Sequence, residues 1–166
     1  MIFELVGRED QPARPAALQG PVVTGFHSII RPDLGYAVDV PAGWFPAPDN
    51  SSTTTSYVAF RTTVGSLRVT VGQDDSPLAD HVNRLIVELR TQGGTNFSQV
   101  PMQISGQPAI KLDYRFPVVP GGPPFSSHTS YVVKRDTAVF SFQLATTDPV
   151  GERPLFTHIA SSIRFL

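Results

Sequence analysis

The sequence contains no cysteine among its 166 residues. This absence excludes a disulfide framework, a zinc site with thiolate ligands, an iron–sulfur cluster and a cysteine nucleophile. Charge is also scarce: 16% of the residues are charged, and 13 Lys and Arg stand against 14 Asp and Glu, for a formal net charge of −1. Because nucleic-acid binders and polybasic membrane-binding proteins carry an excess of positive charge, we expect neither nucleic acid nor a membrane surface as a partner.

Long apolar runs are absent as well. No window approaches the roughly 18 consecutive apolar residues of a membrane-spanning helix. The first ten residues lack the basic and apolar regions of a signal peptide, so the chain as it stands is expected to be cytoplasmic, or exported if a leader was removed. With 40% hydrophobic residues, the sequence can still bury a core, and its length suits one domain of about 100–200 residues.

Proline and glycine separate the apolar segments, which favours many short elements. Residues 1–32 show no sustained period, and we expect an irregular N-terminal arm with a short strand at 22–30. Residues 33–166 are expected to form a single domain. In its first segment Tyr36, Val38 and Val40 alternate with other residues, which predicts a short strand that ends at the Pro-Ala-Gly turn.

Hydrophobic periodicity predicts the remaining elements. Two strands joined by a turn are expected between 56 and 72, and further strands at 97–104, 109–116, 130–134 and 138–145. Ser76-Pro77 is typical of a helix start, and a helix at 77–92 would bury one apolar face. Asp148-Pro149 indicates a second helix at 149–162. Since parallel βαβ alternation is missing, the sequence predicts an α+β fold with a mainly antiparallel sheet packed by helices.

Three segments resemble a known family. The segment from Gly35 to Trp44 (GYAVDVPAGW), the segment from Ser105 to Tyr114 (SGQPAIKLDY) and the closing segment 131–165 are similar to motifs of the PsbP/Mog1-like superfamily. The resemblance covers residues 33–166 and implies an α/β/α sandwich. The superfamily includes lumenal extrinsic proteins of photosystem II, Ran-binding Mog1 proteins and bacterial lipoproteins of the LpqN and DcrB types. Since these proteins share no common catalytic residues, the resemblance implies a binding or accessory role.

Motifs of catalysis are missing from the sequence. No serine lies in a G-x-S-x-G elbow, no histidine pair has the H-E-x-x-H spacing, and neither glycine pair belongs to a phosphate-binding loop. The acidic pair Asp74-Asp75 precedes a predicted helix, where the helix dipole favours negative charge. We therefore expect no catalytic residues, no cofactor and no metal; the alternative is an enzyme whose cleft is assembled from scattered polar residues.

Two further features have open interpretations. Trp44, the only tryptophan, is expected to be a core anchor, with a ligand-stacking platform as the alternative. Arg61, Arg68, Lys111 and Arg115 alternate outward on predicted strands. They could meet on one sheet face, either as a solvated surface or as a site for an acidic partner.

The connection 117–125 is apolar and rich in proline although it joins two strands and should run at the surface. It either covers an open edge of the core or contacts a partner, and proline would limit the entropy lost on docking. The predicted function is a non-catalytic binding or accessory domain that acts through a protein partner or a small apolar ligand. Its predicted binding residues are Val118, Val119, Pro120, Pro123, Pro124 and Phe125.

Overall fold

The structure, a computed structural model, describes residues 25–46, 56–61, 65–118 and 125–166. The strands and helices in these ranges are β1 (Phe26–Arg31), β2 (Tyr36–Pro41), β3 (Phe45–Pro46), β4 (Ser56–Arg61), β5 (Gly65–Gln73), α1 (Leu78–Thr91), β6 (Thr95–Ile104), β7 (Gln107–Pro117), β8 (Phe125–Arg135), β9 (Ala138–Thr146), α2 (Arg153–Ser162) and β10 (Arg164–Phe165).

The strands form a large and a small antiparallel sheet. The large sheet has the order β3-β4-β5-β9-β8-β7-β6, and the small sheet has the order β1-β2-β10. Neighbouring strands of the large sheet are mostly consecutive in the chain, but β5 lies beside β9 although α1 and three strands separate them in the sequence. This arrangement confirms the predicted α+β fold with a mainly antiparallel sheet.

One face of the large sheet, called here the α2 face, carries the larger hydrophobic core. Phe142 of β9 is fully buried there against Tyr36 of the small sheet, with ring centroids 5.5 Å apart in an edge-on arrangement. Ile159 of α2 belongs to the same core. The small sheet and α2 therefore cover this face together, and the alternation of apolar residues along β5 and β9 explains why these strands bury one side here.

The opposite face of the large sheet packs on α1 and is called the α1 face. The helix buries Val82, Ile86 and Leu89 against Leu112 of β7 and Val132 of β8. These positions recur at helical spacing, so the predicted apolar face of the helix is confirmed. The two helices thus lie on opposite faces of the large sheet, and within the described part of the chain neither is long and apolar enough to cross a membrane.

The N-terminal part of the described chain joins the small sheet. Strand β1 lies within the predicted arm and pairs with β2 in the register Ile29↔Val38, which places it close to the expected strand at 22–30. Residues 1–24 of the predicted arm lie outside the described residues. Trp44 follows β2 and is 4% exposed within the core, which confirms its interpretation as an anchor.

The start of α1 differs from the sequence prediction. Ser76 does not cap the helix, since Pro77 occupies the N-cap position and no side chain bonds there. Instead, the carboxylate of Asp74 accepts hydrogen bonds from the backbone N–H and the hydroxyl of Ser76. Arg84 pairs with the same carboxylate of Asp74 and not with the helix acids four residues away. An acceptor with several donors around it offers a stronger partner than an exposed carboxylate on the helix surface.

The start of α2 is also later than predicted. The helix begins at Arg153 because the preceding residues form a turn, in which the carboxylate of Asp148 accepts a hydrogen bond from the N–H of Gly151 at 3.0 Å. Strand β10, which has only two residues, was not predicted. It pairs with β2 in the register Phe165↔Tyr36 and closes the small sheet.

Candidate functional site

A polar groove with a volume of about 620 Å³ opens on the α2 face, where the end of the large sheet meets the start of α2. Its lining includes three charged residues of β7, which are Lys111, Asp113 and Arg115, and Arg153 from the first turn of α2. The volume lies within the range of about 300–1,000 Å³ that is usual for ligand sites.

Strand alternation explains why charged residues reach this groove. On β7 the residues Ile110, Leu112 and Tyr114 are buried in the core beneath α1. The residues between them point to the opposite side of the pleat, so Lys111 and Arg115 reach the α2 face. The sequence predicted that Lys111 and Arg115 point outward from the strand, and their place in the groove lining confirms this.

The single carboxylate among these four side chains already has partners. Asp113 Oδ2 lies 3.0 Å from Lys111 Nζ, and Asp113 Oδ1 accepts a hydrogen bond from the hydroxyl of Thr129 at 2.6 Å. In the described ranges, neither Arg115 nor Arg153 forms an ion pair or a side-chain hydrogen bond. Two guanidinium groups in the lining are therefore available to a ligand.

Two further carboxyl groups lie in the turn that precedes α2. Asp148 is engaged by the backbone of Gly151, as described above. Glu152 is directed at Gly65, since its Oε2 lies 2.2 Å from the place where a side chain on that glycine would begin. Burial raises the pKa of Glu152, which favours its neutral form. Neither of these two residues is among those that line the groove.

The basic residues that could meet on one sheet face do not all do so, because Arg68 lies on the other face from Lys111 and Arg115. Cross-strand pairs connect Arg68 on β5 to Leu112 on β7. Arg68 pairs with Gln143 of β9, Gln143 pairs with Ser130 of β8, and Ser130 pairs with Leu112. Since directly opposed residues point to the same face, Arg68 is on the α1 face, whereas Lys111 and Arg115 are on the α2 face. The side chain of Arg61, the fourth residue of that prediction, lies outside the described part of the structure.

The two described ends of the predicted binding connection are close in sequence to residues of the groove lining. Val118 follows β7 and is partly buried, while Phe125 begins β8 and is 46% exposed. Val119, Pro120, Pro123 and Pro124 lie outside the described residues. Sequence reasoning chose this connection and missed the groove, although the alternation of Lys111, Asp113 and Arg115 was the available signal.

Three of the four histidines lie in separate environments, and the fourth, His27, is exposed on β1. His128 contacts the rings of Tyr114 and Phe116, His81 contacts Asp74 through Nδ1 at 2.6 Å, and His158 stacks on the ring of Phe26 with centroids 3.8 Å apart. Across the described ranges, no group of three or more histidine, aspartate or glutamate side chains is arranged to hold a metal ion.

One polar cluster on the small sheet has the residue types of a hydrolase site. Ser28 donates its hydroxyl hydrogen to Asp39 at 2.5 Å, and His158 Nε2 lies 3.8 Å from the other oxygen of that carboxylate. Nucleophile activation requires the imidazole between the serine and the carboxylate. Here the carboxylate lies in the middle and also contacts Arg164 at 3.3 Å, so the cluster links the strands of the small sheet and α2 instead of activating a serine.

Comparison with known proteins identifies the fold. Cyanobacterial PsbP (CyanoP) from Synechocystis sp. PCC 6803 is similar over 92% of this chain and 100% of its own, with a TM-score of 0.67 and 20% sequence identity. LpqN, described as involved in cell envelope biogenesis of Mycobacterium tuberculosis, is similar over 84% of this chain and 89% of its own, with a TM-score of 0.56 and 16% identity.

A Pseudomonas aeruginosa protein of unknown function is similar over 82% of this chain and 94% of its own, with a TM-score of 0.53 and 19% identity. No protein-family model and no curated protein matches the sequence. The shared architecture agrees with the motifs from Gly35 to Trp44 and from Ser105 to Tyr114. The chain therefore has the PsbP/Mog1-like fold, and LpqN is among its structural relatives.

Proposed function

We propose that this domain is a non-catalytic binding module that acts through a protein partner, which contacts the polar groove and the connection 117–125. The observation that carries the proposal is the pair of guanidinium groups, Arg115 and Arg153, that line the groove without a carboxylate partner in the described ranges. Arginine is enriched at sites where proteins recognise one another, because its planar donors pair with acceptors of a partner.

The charged side chains of the groove favour a protein partner over a small apolar ligand. Sites for apolar ligands are lined mainly by hydrophobic and aromatic side chains, whereas this lining combines aromatic rings with four charged side chains and several hydroxyl groups. The imidazole of His128 lies 2.8 Å from the hydroxyl of Ser126, but within the described ranges its Nδ1 has no carboxylate or other hydrogen-bond partner to orient it. The lack of a complete triad and of a metal-ligand cluster among the described residues supports a non-catalytic role.

The connection 117–125 would extend the contact surface beyond the groove. Arg115 and Ser127, which line the groove, are two residues from the two ends of the connection, Pro117 and Phe125. The exposed ring of Phe125 supplies an apolar contact next to the charged one. A surface that combines an aromatic side chain with arginine matches the composition of protein interfaces.

The proposal is tested by affinity capture from the native lysate with four immobilised proteins: the wild type, Phe125→Ser, Arg115→Gln and the control Val87→Ser. Val87 is 61% exposed on α1, on the other side of the large sheet. We expect one partner that the wild type and the control retain and that both site variants lose. The purified partner should likewise bind the wild type and the control and not the two site variants. All four proteins are expected to differ by no more than about 0.5 kcal/mol in unfolding free energy, as surface variants do.

Equal retention of every captured protein by the wild type and all three variants would place the contact elsewhere and contradict the proposal. A loss of stability well above that range in Phe125→Ser would assign the connection to the core instead.

A further inference from the structure

We infer that the occupant of the polar groove is an acidic peptide segment whose carboxylates pair with Arg115 and Arg153. The inference rests on the proposed function, since the segment would belong to the protein partner. It names the chemistry by which that partner is recognised, which neither the fold nor the comparisons assign.

Local charge is the first argument. The chain as a whole has a formal net charge of −1, whereas the charged side chains in the groove lining are Lys111, Arg115 and Arg153 against Asp113. Three positive and one negative charge leave a local excess of two positive charges. A positive patch on an otherwise balanced protein is complementary to a negative patch on a partner.

Hydrogen bonding is the second argument. Asp113 is paired with Lys111 and Thr129, and within the described ranges it forms no ion pair with either arginine. A guanidinium group forms two parallel hydrogen bonds with a carboxylate, and this geometry is stronger than a single neutral hydrogen bond. Each available arginine can therefore hold one acidic side chain.

The separation of the two arginines favours a segment with more than one carboxylate over a single small anion. Arg115 extends from β7 of the large sheet, whereas Arg153 extends from the first turn of α2. The two guanidinium groups thus line the groove from separate elements, and each can take a carboxylate of its own. Hydroxyl groups of Ser127 and Thr129 line the groove and can bond to the peptide backbone of the segment.

The test is a titration of the ¹⁵N-labelled full chain, followed by amide chemical shifts, with a capped hexaglutamate peptide as the probe. Capped hexaglutamine is the matched neutral peptide, and inorganic phosphate is the small-anion probe. We expect hexaglutamate to cause saturable shifts at the backbone amides of the groove residues, weakened by added salt as exposed ion pairs are. Hexaglutamine should cause none.

Variants locate the binding. Arg115→Gln and Arg153→Gln should each weaken hexaglutamate binding about tenfold, the loss that corresponds to one charge-assisted hydrogen bond. Arg90→Gln is the control, because Arg90 is an exposed arginine in the last turn of α1, on the opposite side of the sheet. It should bind the peptide as the wild type does. The amide spectrum of each variant reports directly whether the protein is folded.

Three outcomes would overturn the inference: no saturable binding, equal binding of hexaglutamine, or unchanged affinity in both groove variants. Saturation of the groove by phosphate with no response to hexaglutamate would indicate a small-anion site and would also contradict it. If Arg115→Gln loses the natural partner although hexaglutamate does not bind, the inference fails while the proposed function stands. If hexaglutamate binds the groove but partner capture is insensitive to the groove variants, the proposed function fails while the groove chemistry stands.

Discussion

The imidazole of His128 stacks on the phenol ring of Tyr114, with ring centroids 5.1 Å apart and an interplanar angle of 20°. The two residues are direct partners across β7 and β8. His128 Nε2 lies 2.8 Å from the hydroxyl oxygen of Ser126, whereas Nδ1 is buried without a hydrogen-bond partner among the described residues. A charged imidazole carries a hydrogen on both nitrogens, so this site disfavours protonation, and burial lowers the pKa of His128 from 6.5 to about 4.

The first prediction is that His128 makes the protein less stable as the pH falls from 6.5 towards 4. In this window the unfolded chain binds a proton at His128 and the folded chain does not. The unfolding free energy therefore decreases as the pH decreases. The variant His128→Phe keeps an aromatic ring in the stack and should lose this component of the pH dependence in urea denaturation. Nuclear magnetic resonance of the imidazole should give a midpoint near 4; a midpoint at the ordinary value would refute the prediction.

Asp74 is the centre of a second titrating cluster, before α1. Its carboxylate accepts hydrogen bonds from the N–H and hydroxyl of Ser76, from His81 and from Arg84. Lys134 also donates a hydrogen bond to the backbone carbonyl of Ser76. These donors, Ser76 foremost, hold the pKa of Asp74 well below its ordinary value of 3.8. The cluster thus connects the start of α1 with β8.

The second prediction follows from this lowered pKa. A carboxylate with a depressed folded pKa stabilises the protein above the unfolded pKa, and that contribution is lost as the pH falls below 3.8 towards the folded value. The wild type should therefore be more stable than Asp74→Asn at neutral pH, and the difference should shrink below pH 3.8. Asp75→Asn, at the exposed neighbouring carboxylate, is the control. A wild-type advantage that stays constant through this range in urea denaturation would contradict the role assigned to Asp74.

The third prediction concerns Trp44, which is 4% exposed within the core on the α2 face. Because truncation removes a large packed ring and leaves a cavity, Trp44→Ala should lower the unfolding free energy by about 3–5 kcal/mol. Val87→Ala on the exposed side of α1 should change it by less than about 0.5 kcal/mol in the same urea denaturation series. A loss below about 1 kcal/mol for Trp44→Ala would show that the ring is not an anchor.

The sequence predicts elements best where one period extends over many residues. In α1, the residues Val82, Ile86 and Leu89 recur at helical spacing and are buried. Strand β9 alternates equally clearly. Strands β3 and β10 have two residues each, which is too short for any alternation to be seen. Strand β3 pairs with β4, from which a connection separates it. Strand β10 pairs with β2, which is remote in sequence. Both short strands depend on these partners.

The polar groove could be predicted only in part. Alternation on β7 places Lys111 and Arg115 on one face, as expected. The sheet face on which Arg68 lies depends on the registers of β5 with β9 and of β9 with β8. Alternation within one strand does not reveal these registers. The contribution of Arg153 depends on where α2 begins, and the turn held by the carboxylate of Asp148 decides that point. A site built from separate elements thus requires their registers as well as their patterns.

The last prediction is that Asp113→Asn makes the groove a better site for acidic ligands. The change removes the one negative charge among its charged lining residues and releases Lys111, while the amide oxygen can still accept the hydrogen bond from Thr129. Hexaglutamate should bind about 3–10 times more tightly, and stability should change by less than about 1 kcal/mol, as for an exposed ion pair. Leu112 and Tyr114 on either side remain buried, so amide spectra should stay close to those of the wild type. Weaker peptide binding by the folded variant would mean that Asp113 contacts the ligand favourably, and the groove would then not select for negative charge.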